Sequence, residues 1–148
     1  GNIFPIYAGN GSLVPPQTTL KESLKNDRIS VLFFYLDDSS DSKAMAPVIS
    51  GLDLLWRNDI DLIALTTDEL QNSTSKSDSN QPNYYWNGLI PQTIILDSTG
   101  EVKFDKNGMV NIDEMNKIIG ELKGIDISDS SFSVESFNEY NSIISKKK

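Results

Sequence analysis

The two side chains most often used for catalysis and metal binding are missing: the chain has no cysteine and no histidine. Without cysteine there is no thiolate to attack a substrate, exchange a disulfide or ligate a metal. Nor can the redox compartment be read from disulfide use. Without histidine, a serine nucleophile lacks its usual base and zinc its commonest ligand. Positive charge is scarce as well. Lys plus Arg number 13 against 21 Asp plus Glu, a net charge of −8. Nucleic-acid binding rests on neutralising phosphates, so this balance argues against that class of partner. No apolar run reaches the length of about 18 residues that a membrane helix needs. The chain opens at Gly1 with no methionine and no basic, apolar leader, and reads as a piece whose leader or anchor has been removed. At 148 residues it accommodates one domain with a modest tail, and no internal repeat is visible.

What is present is organised around residues 31–47, VLFFYLDDSSDSKAMAP. The run 31–36 is continuously apolar, as in a strand buried on both faces. Residues 37–42 are short oxygen-bearing side chains, suited to turning the chain and capping a helix, with Asp41 or Ser42 as the expected cap. From Lys43 the period becomes helical, with Met45, Val48, Ile49, Leu52 and Leu55 or Trp56 on one stripe. Pro47 lies inside that helix and is expected to kink it.

The rest of the chain reads around this unit. Residues 1–17, rich in Gly and Pro, suggest an extended arm. Thr19 and Glu22 form a capping-box pattern for a helix at 20–25. Asn58-Asp59 ends the central helix, and 61–66 reads as a second buried strand, completing a parallel β-α-β unit. A helical turn is expected at 67–70, then a polar surface loop at 71–83 with nothing to bury. Residues 93–97 and 101–105 form a hairpin around Ser98-Thr99-Gly100. Asn111 and Glu114 signal a last helix, with Ile112, Met115, Ile119 and Leu122 on its apolar face, ending near Gly124. Beyond it, Val134, Phe137, Tyr140 and Ile144 make a short amphipathic stripe. The expected division is an arm at 1–17, a domain at 18–124, and a tail at 125–148 with a short amphipathic helix.

Strand, polar loop and proline-bearing helix together resemble the active-site segment of the thioredoxin fold. There the strand ends in Cys-x-x-Cys, a lysine often follows, and a proline comes five positions after the second cysteine. Here the loop is Ser39-Ser40-Asp41-Ser42, followed by Lys43, with Pro47 five residues past Ser42. Both cysteine positions are serine. The buried acid that thioredoxins place six residues before the first cysteine is Phe33. The string Ile90-Pro91-Gln92-Thr93 is similar to the family's cis-proline site, which precedes the third core strand and faces the active-site loop. The resemblance implies an α/β thioredoxin-like fold: a central mixed sheet flanked by helices, with a C-terminal extension.

Two groups follow as candidate sites. The degenerate loop comprises Asp37, Asp38, Ser39, Ser40, Asp41 and Ser42. A catalytic role for its serines is disfavoured by the missing base. The three aspartates could gather a hard cation, yet their spacing is not an EF-hand and lacks its Gly and terminal Glu. Capping of the helix is the simpler reading, and carboxylates are favourable near its positive end. The second group is Tyr84, Tyr85, Trp86, Ile90 and Pro91. Ile90-Pro91 reads either as a backbone edge for an extended partner or as a purely structural turn that the fold keeps without redox chemistry. The aromatics suit a partner surface, although at least one is expected to cover the core instead.

Five strings taken together narrow the resemblance: GNGSLVPP at 9–16, FYLDDSSDSK at 34–43, APV at 46–48, DLIALTTD at 61–68 and IPQT at 90–93. They are similar to cyanobacterial thylakoid membrane photosystem I accumulation factors. That family implies a redox-inactive binding module acting as an assembly or accumulation factor, with no cofactor and no metal. Its partners would be proteins, photosystem I subunits or assembly proteins, with membrane association through a removed N-terminal segment. The implied location is the lumenal side of the thylakoid or the periplasmic face of the envelope. The alternative is a thiol-disulfide oxidoreductase whose cysteines were exchanged for serine by engineering.

Overall fold

The computed structural model describes residues 18–71 and 77–125. The expected arm at 1–17 and the stripe Val134, Phe137, Tyr140 and Ile144 lie outside the described residues, as does 72–76. The chain divides into two compact units, Gly1–Val110 and Asn111–Lys148.

In the first unit, α1 (Leu20–Lys25) starts on the capping box read from the sequence: Thr19 Oγ1 accepts from the Glu22 amide, and Glu22 reaches back to the Thr19 amide. Strand β1 (Ile29–Tyr35) is buried along its whole length. The central helix α2 (Ser40–Leu55) holds Pro47 inside it. It ends at Trp56, before the expected Asn58-Asp59 stop, because the Trp56 amide closes the last turn on Leu52. Strand β2 (Ile60–Thr66) pairs parallel with β1, and α3 (Thr67–Gln71) follows at once. Its start is fixed by a reciprocal pair that the sequence reading overlooked, Glu69 Oε1 accepting from the Thr66 amide and Thr66 Oγ1 accepting from the Glu69 amide. A 3-10 turn, Pro82–Tyr84, leads to β3 (Gln92–Leu96), antiparallel to β1, and β4 (Val102–Asn107) returns antiparallel to β3.

The sheet is therefore mixed, in the order β2-β1-β3-β4. Alternation along the strands separates two faces. Leu32, Phe34, Ile63, Ile94 and Leu96 form one core with Leu20 of α1 and Leu70 of α3. The Ser23 and Ser30 hydroxyls bond at 2.8 Å within it, joining α1 to β1. Val31, Phe33 and Tyr35 point the other way, Phe33 stacked on Tyr35 with ring centroids 5.6 Å apart. The buried stripe of α2 is Met45, Ala46, Ile49 and Leu52.

In the second unit, α4 (Ile112–Leu122) is capped by Asn111, whose side chain accepts from the Asp113 amide. Met115 and Ile119 are buried as the period requires. Helix α4 stops at Lys123, and Gly124 follows at a positive φ of 76°.

Candidate functional site

Strand register brings the two predicted groups to one end of the sheet. Tyr35 lies opposite Thr66, Phe34 opposite Gln92, and Gln92 opposite Asn107. The C-terminal ends of β1, β2 and β4 thus meet the start of β3. The loop 36–39 leaves β1 there, and Pro91 enters β3 there through a cis Ile90-Pro91 peptide.

The serine loop is held by its own hydroxyls. Ser39, one position before α2, is the N-cap, and its Oγ accepts from the Ser42 amide at 3.2 Å. This corrects the expectation that Asp41 or Ser42 would cap. The helix begins earlier than Lys43 because Ser40, Asp41 and Ser42 already adopt its conformation, which leaves Asp41 in the first turn beside the free amides. Ser42 is only 2% exposed, and its Oγ accepts from the Leu36 amide at 3.2 Å. Each of these two serine oxygens therefore satisfies a backbone N–H of the strand-to-helix turn. Asp37, Asp38, Ser40 and Asp41 are exposed. Among the described residues, no three acidic groups converge in a way that could hold a metal ion. Phe33, at the position where thioredoxins carry an acid, is fully buried.

The facing loop is braced by amides. Gln92, with no exposed surface, donates from Nε2 to the Tyr85 carbonyl at 3.0 Å and to Asp105 Oδ1 at 2.9 Å, while its Oε1 accepts from the Asn87 amide. Asn87 Nδ2 donates to Asn107 Oδ1, and Asn107 Nδ2 reaches the Leu89 and Pro91 carbonyls. The Leu89 carbonyl also accepts from the Trp86 indole at 3.0 Å, and the Pro91 carbonyl from the Gly108 amide. Gly88, at φ 91°, supplies the left-handed turn before Leu89. Among the described residues, no partner bonds the amide or carbonyl of Ile90. Within the described residues the Ile90 backbone thus stands without a partner between braced neighbours.

The aromatic trio divides. Tyr85 and Trp86 pack against the core cluster, and Tyr84 stands 47% exposed with its ring edge-on to Tyr85. The Tyr85 hydroxyl donates to the Ser79 carbonyl, and burial, then the neighbouring Tyr84 and Asp78, push its pKa up. The polar stretch expected to bury nothing does bury Asn83, on the 3-10 turn.

Sequence reasoning missed three residues here. Leu36, read as the last residue of the buried strand, lies beyond β1 and is 39% exposed. Leu89 is 62% and Met109 54% exposed. Met109 is placed at the site by its neighbours, since the Gly108 amide donates to the Pro91 carbonyl and the Val110 amide to the Met45 sulfur. The period of the strand could have flagged none of them, because exposure here follows from where the chain leaves the sheet.

Comparison with known proteins agrees with this architecture. No family model matches the chain. A solved structure, a point mutant of thioredoxin from Halobacterium salinarum, superposes with a TM-score of 0.53 at 18% identity, over 73% of this chain and 86% of that one. At that identity it shows the fold alone, and the fold is thioredoxin-like. The thylakoid membrane protein slr1796 of Synechocystis is 36% identical over 146 residues, covering 96% of this chain and 71% of its own length. A thioredoxin-like sheet whose Cys-x-x-Cys positions are serines bonded to backbone amides, matched along nearly its whole length by that protein, belongs to the family of thylakoid membrane protein slr1796.

Proposed function

We propose that the chain is a redox-inactive docking module that works at the thylakoid membrane in the accumulation of photosystem I. The observation that carries this reading is the state of the sheet end. The scaffold that would present a Cys-x-x-Cys is retained, yet Ser39 and Ser42 are committed to backbone amides. Meanwhile, among the described residues, nothing bonds the Ile90 backbone. Thiol–disulfide exchange has no thiol to run on. An extended client segment adds its backbone at Ile90, and neighbouring side chains select it. The thylakoid setting is supported by the relative's name. The photosystem I role is supported by the resemblance of the sequence strings, the serine loop included.

The test is complementation of a strain lacking the gene, read as photosystem I per chlorophyll. Wild type and Lys21→Ala, exposed on α1, restore the level, and Leu89→Asp, which alters only the exposed face, does not. A single Leu89→Cys, the only thiol in this chain, would carry a cross-linker to the client. Normal photosystem I in the deleted strain overturns the proposal.

A further inference from the structure

The same sheet end carries a charge pattern that says what kind of segment it takes, an inference that rests on the docking reading above. Leu36, Leu89 and Met109 are three of the large apolar side chains left exposed, and strand register brings all three to this end. On the β1–β2 side of the same sheet end lie Asp37, Asp38 and Asp41, and Asp68 at the start of α3, which opens from the same end of β2. All four carboxylates are exposed, and among the described residues none has an ion-pair partner. Glu69 is occupied as the reciprocal cap with Thr66. Two cations lie nearby among the described residues, Lys43 in α2 and Lys106 in β4, whose ammonium stands 5.8 Å from the centre of the Phe104 ring. The end is thus an apolar trio with an acidic flank.

We propose that it docks a basic protein segment with an apolar centre: one large apolar side chain seats on Leu36, Leu89 and Met109, and flanking Lys or Arg face Asp37, Asp38, Asp41 and Asp68. Charge complementarity selects this occupant. A second copy of the chain meeting the face about a two-fold axis would set acidic flank against acidic flank or leave the carboxylates unpaired, and like-charge juxtaposition works against it. An anionic lipid surface is repelled for the same reason.

The test uses full-length protein and three synthetic peptides of equal length: Lys-rich with a central leucine, Lys-rich with serine in its place, and Glu-rich with the leucine. Binding is followed by fluorescence anisotropy at low and physiological salt. The Lys-Leu peptide binds, and weakens as salt shortens the screening length to about 8 Å. Each Asp→Asn change at positions 37, 38 and 68 lowers its affinity about two- to fivefold, the range of an exposed ion pair. Leu89→Ser with Met109→Ser abolishes the difference between leucine and serine peptides. These positions are exposed, so the variants fold, as circular dichroism will confirm. Equal binding of the Glu-rich peptide, indifference to the central residue, no binding of any peptide, or concentration-dependent dimers removed by Leu89→Ser would each overturn the inference. Photosystem I loss with cross-linking to an acidic client would overturn it while leaving the docking reading intact.

Discussion

Replacing Ser42 by alanine removes one oxygen atom from a site with almost no solvent. The Ser42 hydroxyl is the acceptor for the Leu36 amide at 3.2 Å, in a residue 2% exposed. Its loss strands a part-buried donor at the turn out of β1, which costs about 1–2 kcal/mol. Ser39→Ala removes the cap on the Ser42 amide and costs about 1 kcal/mol. The two bonds share one turn, so the double variant departs from the sum of the singles. The assay is urea unfolding followed by circular dichroism, alongside a thermal melt. For a chain of this size each kcal/mol moves the melting midpoint by about 2–8 °C, and the denaturant slope stays as in wild type. Ser40→Ala is the internal control, since Ser40 is exposed and its side chain makes no bond in the turn. Its midpoint stays within experimental scatter of wild type. If Ser42→Ala melts with Ser40→Ala, the hydroxyl holds nothing, and the account of a loop locked by serine is wrong.

Two further perturbations probe the brace and the hairpin. Gln92→Ala empties a fully buried site and breaks three hydrogen bonds, one of them to the Asp105 carboxylate. A loss of about 3–5 kcal/mol is expected from the cavity and the stranded partners together, read as a shift of the urea midpoint. Faster amide exchange in residues 85–91 should accompany it. In the hairpin, burial works to raise the Asp97 pKa, but bonds from the Thr99 hydroxyl and from the Glu101 and Thr99 amides, with Lys103 nearby, outweigh it and hold the carboxyl below its usual value. The folded state therefore favours the charged form. This stability is fully present above the unfolded carboxylate value of about 3.9 and is lost as pH falls through the lowered folded value. Asp97→Asn should flatten that acid limb in a pH series of melts, and an unchanged limb would remove Asp97 as its source.

Much of the frame was legible in residue order. The unbroken apolar run before the serine loop reads as a strand covered on both faces, and β1 is one. The Thr19 and Glu22 pair marked the start of α1 to the residue. Boundaries drifted where a hydrogen bond, not a pattern, ends the element. Ser39 rather than Asp41 or Ser42 became the cap because a single oxygen lay within reach of the right amide. The apolar trio was illegible for a related reason. Leu36 continues the hydrophobic run in sequence, yet it emerges into solvent because β1 has already ended at Tyr35.

Composition by itself determined which side chains this chain cannot offer. Without cysteine or histidine, no fold can supply a thiolate or an imidazole, because covalent composition precedes conformation. Residue order determined the local elements, whose periods and caps act over a few residues. The resemblance implied that the serine loop and Ile90-Pro91 would face each other, but only the tertiary structure brought residues 108–110 to the same end of the sheet. That meeting comes from long-range strand pairing, in which β3 inserts beside β1 and sets Gln92 between Phe34 and Asn107. Local sequence carries no trace of such a partner until the register is closed.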